Sequence, residues 1–202
     1  IKKIIDEIAP NENESIIEIG TGRGALTEHL FNSKANLTAI EIDKRVIDDL
    51  KHRFTDLNLL QYDFLDLDLK QFITIENQKL RIVGNIPYNI TSPILFKLFD
   101  NNTIINDAVF MVQLEVAKRM TAKLGSKDYG ILSVLLNFFG KTKLAFKVSP
   151  NVFYPKPNVH SAVVHIYFNE IRDNQGFNLI FKSIVKSSFG NRRKTLKNSL
   201  SH

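Results

Sequence analysis

The residues with the clearest chemistry form the run Gly84-Asn85-Ile86-Pro87-Tyr88-Asn89. The amide of Asn85 offers one carbonyl acceptor and two N–H donors, and Pro87 fixes the backbone so that the carbonyl of Ile86 can point the same way. Two acceptors can then converge on one amine, and the ring of Tyr88 offers a face on which a base can stack, a contact worth about 1–3 kcal/mol. The run is typical of a site for a flat, amine-bearing ring. A proline turn with a packed tyrosine is the structural alternative.

The elements around this run place it at a ligand-binding edge. Residues 80–84 predict a short buried strand, so Asn85 falls at its carboxyl end, where open α/β sheets bind their ligands. Upstream, Ser15–Ile19 predicts a strand that is followed by the turn Gly20-Thr21-Gly22-Arg23-Gly24 and by a helix over residues 25–32. A strand, a glycine turn and a helix are the opening of a nucleotide-binding domain.

Short strands alternate with helices along the rest of the chain. This alternation predicts an α/β fold with a doubly wound, Rossmann-like sheet that is mostly parallel. The last two predicted strands, 143–148 and 161–168, are joined by a segment too short for a helical crossover, so we expect them to be antiparallel neighbours. Residues 177–189 predict an amphipathic helix with an apolar stripe and with Lys182 and Lys186 outside it. We therefore assign residues 1–169 to a catalytic domain and 170–202 to the beginning of a helical C-terminal domain, apparently truncated.

Composition excludes several kinds of chemistry. The 202 residues contain no cysteine, which excludes disulfides, thiolate metal sites and cysteine nucleophiles. The five histidines show no ligand spacing, so we predict no metal. The sequence has neither an apolar run of membrane-spanning length nor a leader peptide. We therefore expect a soluble intracellular protein without a membrane partner.

The charge is distributed unevenly along the chain. Residues 1–109 hold 12 basic and 17 acidic side chains, a net charge of −5, whereas residues 110–202 hold 15 and 4, a net charge of +11. No acidic residue follows Asp173. A basic half of this kind is expected for a protein that binds a polyanion, most simply nucleic acid.

Two cofactors fit the glycine turn. Gly20, Gly22 and Ala25 satisfy the dinucleotide pattern G-x-G-x-x-G/A, which keeps an NAD-dependent oxidoreductase as an alternative. However, the predicted strand ends also bring Glu18, Glu41 and Asp63 to one crevice, and these carboxylates would repel a pyrophosphate. S-adenosylmethionine carries a sulfonium and an ammonium group and no phosphate, so the same charges would attract it. We expect Glu41 to bind its ribose hydroxyls and Asp63 its adenine amine.

The chain resembles the small-subunit ribosomal RNA adenine dimethyltransferase family (KsgA type). The matching stretches are residues 17–27, 41–43, 85–93, 113–119, 125–130 and 189–196. The resemblance implies that two methyl groups are placed on each of two adjacent adenines in a hairpin loop of small-subunit rRNA during ribosome maturation. The sequence departs from the family in lacking its N-terminal Gln-Asn-Phe-Leu segment and most of its C-terminal helical domain.

The residues and the resemblance together give a set of candidate site residues. The catalytic candidates are Asn85, Ile86, Pro87, Tyr88 and Phe153. The cofactor-binding candidates are Glu18, Gly20, Gly22, Gly24, Glu41, Ile42, Asp63, Phe64 and Asn85. The RNA-binding candidates are Lys118, Arg119, Lys127, Arg192, Arg193, Lys194 and Lys197. In this interpretation Tyr88 and Phe153 clamp an unpaired adenine in line with the methyl group of S-adenosylmethionine.

The expected partner is the immature small ribosomal subunit. We expect a monomer that acts in the cytoplasm or in an organelle with its own ribosomes. The alternatives are an Erm-type methyltransferase of large-subunit rRNA, a DNA adenine methyltransferase, a non-catalytic ribosome-assembly or nucleic-acid-binding factor, and the NAD-dependent oxidoreductase.

The basic tail gives a first prediction. Changing Arg192, Arg193 and Lys194 together to Gln should weaken RNA binding and flatten the dependence of log affinity on log salt by roughly one to three phosphate equivalents, because fewer counterions are released. Binding measured over a salt series checks this, with cofactor binding expected to stay intact. An unaltered slope would mean that the tail is only a solvated surface.

Overall fold

The computed structural model describes residues 1–73, 78–154, 156–169, 175–190 and 194–200, with the side chains of Tyr88 and Gln175 left out. The strands are β1 (Ser15–Ile19), β2 (Asn36–Glu41), β3 (Asn58–Gln61), β4 (Leu80–Asn85), β5 (Ile105–Gln113), β6 (Gly140–Val148) and β7 (Ser161–Phe168). The α-helices are α1 (Lys2–Ile8), α2 (Thr27–Asn32), α3 (Lys44–Arg53), α4 (Thr91–Asp100), α5 (Leu114–Met120), α6 (Ile131–Phe139), α7 (Gln175–Gly190) and α8 (Leu196–Leu200).

The seven strands form one sheet in the order β3-β2-β1-β4-β5-β7-β6. The first five of these run parallel, whereas β7 is antiparallel to both β5 and β6. The predicted doubly wound sheet with antiparallel last strands is confirmed. The strand order reverses between β1 and β4, and a reversal of this kind opens a crevice at the carboxyl ends of the two strands.

The sheet is apolar on both faces because helices cover both. Neighbouring residues of a central strand therefore enter different cores: Ile82 packs with α4 and α6, and Val83 packs with α1 and α2. On the face covered by α4 and α6, the rings of Phe99 and Phe139 stack with their centroids 4.9 Å apart. The functional edge is thus carried by strands that are held from both sides.

Helix α7 is turned differently from the prediction. Its predicted apolar stripe is partly in solvent, since Phe177, Ile180 and Ile184 are exposed. The side chain of Lys182 is buried, so the prediction that it lies outside the buried face of the helix is wrong. Its apolar stem packs against the protein while its ammonium pairs with Asp100. The helix is anchored on α6, where the rings of Phe138 and Phe181 lie 4.2 Å apart.

The boundary predicted between residues 169 and 170 lies at the edge of the described residues. Val185 of α7 belongs to the same core cluster as the sheet, so this helix packs on the catalytic domain. The division into two domains stays a prediction.

A buried group of charges lies at the edge of the sheet opposite the carboxyl ends of β1 and β4. Arg81 donates from Nε to Asp107 Oδ1 at 2.8 Å, from Nη1 to Glu14 at 2.7 Å and from Nη2 to the carbonyl oxygen of Ile8 at 2.6 Å. The Nε2 atom of His165 lies 2.7 Å from Asp107 Oδ2. Burial raises the pKa of Asp107, but hydrogen bonds from His165 and Arg81 outweigh it and hold the pKa below its ordinary value. These contacts tie α1 to strands β4, β5 and β7.

Removing the central cation should destabilise the fold. Arg81→Met leaves Asp107 buried without its main partner, and breaking a buried pair in this way typically costs about 3–5 kcal/mol of unfolding free energy. Urea denaturation checks the value. The matched control is Arg45→Met, because Arg45 is exposed and its ion pair with Asp43 is screened by solvent. Equal losses in the two variants would contradict the prediction.

Candidate active site

The glycine turn after β1 lies against the end of β4. Gly20, Gly22 and Gly24 have φ values of 70°, 51° and 79°, a left-handed conformation that other residues rarely adopt. A Cβ placed on Gly20 would be 3.7 Å from the carbonyl oxygen of Asn85. The predicted cofactor turn and the predicted amine-binding segment therefore share one crevice.

Gly84 makes this approach possible. A Cβ at this position would lie 2.5 Å from the carbonyl oxygen of Ile19, too close for any side chain. The neighbouring ends of β1 and β4 can pair only because position 84 has no side chain. Sequence reasoning treated Gly84 as part of a strand and did not recognise this role.

The carboxylate of Glu41 fixes the turn from the end of β2. Its Oε1 accepts from the backbone N–H groups of Ile42 at 2.8 Å and Asp43 at 2.9 Å. Its Oε2 accepts from Gly22 N at 2.9 Å and from the hydroxyl of Thr21 at 3.4 Å. The Thr21 contact is the longest of the four, so it is the one that a ribose hydroxyl would replace most readily.

The next strand ends supply an apolar wall and a second carboxylate. Ile42 is 65% exposed, which suits a residue that covers one face of a flat ring. Asp63 uses Oδ1 to accept from Leu65 N at 2.8 Å and so caps the short 3₁₀ helix Phe64–Asp66. The side chain of Phe64 is buried in the core, with the ammonium of Lys97 5.7 Å from its ring centroid. Phe64 supports the crevice wall from behind.

The amine-binding segment turns sharply after β4. Asn85 is exposed at the strand end, whereas Ile86 is buried and donates its N–H to the carbonyl of Met111 at 3.3 Å. Pro87 then opens a 3₁₀ turn, Tyr88–Ile90, in which its carbonyl accepts from Ile90 N at 3.1 Å. The structure describes the backbone of Tyr88, and the predicted stacking role of its ring lies outside the description.

Phe153 approaches the same segment from the loop between β6 and β7. It is half-buried and packs against a cluster that contains Met111, the residue paired with Asn85 across β4 and β5. The next residue, Tyr154, is fully exposed. The glycine turn lies close to Asn85, and the place of Phe153 beside them stays a prediction.

Comparison with known proteins decides the family. A profile of the family described as "Ribosomal RNA adenine dimethylase" matches residues 1–202. The "Ribosomal RNA small subunit methyltransferase A" of Francisella tularensis subsp. novicida strain U112 is 40% identical over 99% of this chain and 78% of its own length. The protein of the same name from Chlorobium phaeobacteroides strain BS1 is 42% identical over 98% of this chain and 75% of its own.

The chain belongs to the ribosomal RNA adenine dimethylase family. The predicted resemblance and the predicted methyltransferase activity are confirmed. A solved structure agrees: a dimethyladenosine transferase from Plasmodium falciparum superposes with a TM-score of 0.81 at 27% identity, covering 100% of this chain and 72% of the other.

One carboxylate of this rRNA adenine dimethylase does not lie on the crevice surface as predicted. Glu18 is 1% exposed inside β1, behind the glycine turn. Burial, and then the charge of Glu41, raise the pKa of Glu18 to about 7, although contacts with Thr27 partly offset them. Glu18 can therefore support the turn from below.

The RNA-binding candidates lie on α5, on the loop that follows it and at the C-terminal end. Lys118, Arg119, Lys127 and Lys194 are exposed, and Arg119 pairs with Glu115 four residues earlier. Lys197 is exposed on α8. Arg192 and Arg193 lie outside the described residues.

The described part of the chain contains neither a candidate metal-binding group nor a membrane-spanning helix. No group of three or more His, Cys, Asp or Glu side chains is placed to hold a metal ion. No helix there is long and apolar enough to cross a membrane.

The raised pKa of Glu18 predicts a pH-dependent stability difference. A carboxyl whose folded pKa is about 7 and whose ordinary value is 4.5 costs stability as the pH rises between these values, because the unfolded chain ionises first. The stability of Glu18→Gln relative to the natural chain should therefore increase across this window, by at most about 3 kcal/mol. Urea denaturation at pH 4.5 and pH 8 checks this. If the difference in unfolding free energy between the two proteins does not change with pH, the prediction is wrong.

Proposed function

We propose that this chain transfers methyl groups from S-adenosylmethionine to the exocyclic amine of adenines in small-subunit ribosomal RNA, two per adenine, on the immature small ribosomal subunit. The observation that carries the proposal is the closeness of the glycine turn to the end of β4, where a Cβ placed on Gly20 would lie 3.7 Å from the carbonyl oxygen of Asn85. This closeness supports a cofactor site and an amine site in one crevice. The small-subunit assignment is supported by the names of the relatives that are 40–42% identical.

The groups that line the crevice match the hydrogen-bonding groups and the charge of S-adenosylmethionine. The cofactor supplies a methyl group on a positively charged sulfur. Glu41 and Asp63 provide oxygen acceptors for ribose hydroxyls and for the adenine amine, and the exposed Ile42 covers a ring face. A net negative crevice attracts the sulfonium and ammonium groups and disfavours a pyrophosphate, which argues against NAD.

Asn85 and the carbonyl of Ile86 act on the substrate amine. The lone pair of an adenine amine is delocalised into the ring, so the nitrogen is a poor nucleophile until it becomes tetrahedral. Two acceptors on its hydrogens favour that geometry, and Pro87 fixes the backbone that presents one of them. No base is needed before the attack, because the amine becomes acidic only as the methyl group arrives.

The aromatic residues position the base. Phe153 is half-buried and packs against the cluster that contains Met111, the residue paired with Asn85 across β4 and β5. We propose that Phe153 and Tyr88 lie on opposite faces of an adenine that has left its stack. Orienting the amine in this way contributes to the rate mainly through positioning.

The basic half of the chain fits the RNA. The net charge of +11 over residues 110–202 follows the crevice, and the exposed candidates Lys118, Lys127 and Lys194 belong to it. We propose that these residues contact phosphates, that the protein acts as a monomer, and that it works in the compartment where small subunits mature, the cytoplasm in a bacterium.

The test of the function is a methylation assay. The protein is incubated with labelled S-adenosylmethionine and with immature small subunits, mature large subunits or duplex DNA, and the modified nucleoside is identified after digestion. We expect dimethyladenosine from the small subunit alone. Label in the large subunit would indicate an Erm-type enzyme, label in DNA a DNA adenine methyltransferase, and no label a non-catalytic binding factor.

Two substitutions should separate transfer from cofactor binding. Asn85→Ala should lower the transfer rate by roughly 10²–10³ with little change in S-adenosylmethionine affinity, because the amide acts on the substrate amine. Asp63→Asn keeps an oxygen that can cap Leu65 N but replaces an acceptor facing the cofactor with a donor, so it should weaken cofactor binding. Single-turnover kinetics and calorimetry measure the two effects. Near-normal turnover in Asn85→Ala would rule out the proposed mechanism.

A further inference from the structure

A second cleft lies beside the active site, on the face of the sheet covered by α4 and α6. It has a volume of about 670 Å³, within the usual range for sites that hold small molecules. Its walls come from α4, the end of α5, the loop before α6, the first turn of α6 and the second half of α7. The residues used below are Ser92, Phe96, Arg119, Lys127, Lys186 and Phe189. No role was predicted for Ser92, Phe96 or Phe189.

The cleft is positively charged. Arg119, Lys127 and Lys186 line it, with Asp128 as the single acidic lining residue. The first turn of α6 also faces it through Ile131 and Leu132, and a helix N-terminus favours an anion. The combination fits a phosphate.

The cleft also contains aromatic rings. Phe96 and Phe189 line it, and the ammonium of Lys186 lies 4.1 Å from the centroid of the Phe96 ring. Phe189 is itself held by Tyr129, with ring centroids 6.1 Å apart. A cation and aromatic rings that line one cleft can contact the phosphate and the base of the same nucleotide.

The position of the cleft connects it to the substrate amine. Ser92 lies in the first turn of α4, and that helix begins directly after the turn Tyr88–Ile90. The cleft therefore opens next to the segment that holds the target adenine. A nucleotide that adjoins that adenine in the same RNA strand is therefore the candidate occupant.

We infer that this cleft binds one ribonucleotide next to the target adenine, holding its phosphate with Lys127, Lys186 and the first turn of α6 and its base against Phe96 and Phe189. The inference rests on the proposed function for the identity of the polymer. It assigns a second nucleotide subsite to the enzyme. The subsite fixes the register of the RNA, because the phosphate and the target amine are then held at a set separation.

The first experiment uses a minimal ligand. The protein is labelled with ¹⁵N, and its cofactor crevice is filled by saturation with S-adenosylhomocysteine. It is then titrated with adenosine 5′-monophosphate, adenosine or inorganic phosphate. The monophosphate should shift the amide signals of Lys127, Leu132 and Ser133 at lower concentration than either fragment. Unshifted cleft signals would overturn the inference, and equal effects of monophosphate and phosphate would overturn its base-binding part.

The second experiment uses RNA. Lys127→Gln combined with Lys186→Gln should abolish the shifts caused by the monophosphate and flatten the salt dependence of binding to a hairpin from the small-subunit rRNA by about one to two phosphate equivalents. The matched control is Lys2→Gln combined with Lys3→Gln, which removes the same charge from exposed positions on α1, across the sheet. Equal slopes in the two double variants would overturn the inference.

The two proposals can fail separately. If the natural chain methylates small subunits but its cleft variants match the control, the cleft inference fails alone. If the natural chain transfers no methyl group while the monophosphate still shifts the cleft signals, the proposed reaction fails and the nucleotide subsite remains.

Discussion

The close approach of β1 and β4 is the contact on which the site depends. Ile19 and Gly84 pair in the parallel ladder, and the carbonyl of Ile19 occupies the space that a side chain at position 84 would need. Each strand then continues into a different half of the site, the glycine turn on one side and Asn85 on the other. Because the glycine turn and Asn85 continue directly from paired strands, the separation of their backbones is set by the sheet.

A single carboxylate makes the glycine turn rigid. Glu41 binds the backbone of its own strand end and the backbone of Gly22 at the same time, so the ends of β1 and β2 cannot move apart independently. Buried hydrogen bonds between a carboxylate and backbone amides are among the stronger ones in proteins. Glu18 lies in β1 before the same turn, where burial, and then the charge of Glu41, raise its pKa to about 7.

Much of this arrangement could be predicted from local sequence signals. The alternation of strands and helices gave the sheet, and the position of Asn85 after an apolar strand gave the functional edge. What the sequence did not show depends on contacts between distant segments. The burial of Lys182 follows from Asp100 on another helix, and the burial of Glu18 depends on how α2 covers β1. The second cleft combines residues from four helices and a loop, so no single stretch of sequence could reveal it.

The charge group around Arg81 has a consequence for the order in which the chain can fold as it is synthesised. Helix α1 leaves the ribosome before the strands on which it docks, yet Glu7 bonds to His165, 158 residues later, at 2.8 Å, and the carbonyl of Ile8 bonds to Arg81. Helix α1 can therefore complete its docking only after nearly the whole sheet has formed. Long-range contacts of this kind slow folding, so the docking of α1 is a late event that follows the insertion of β7.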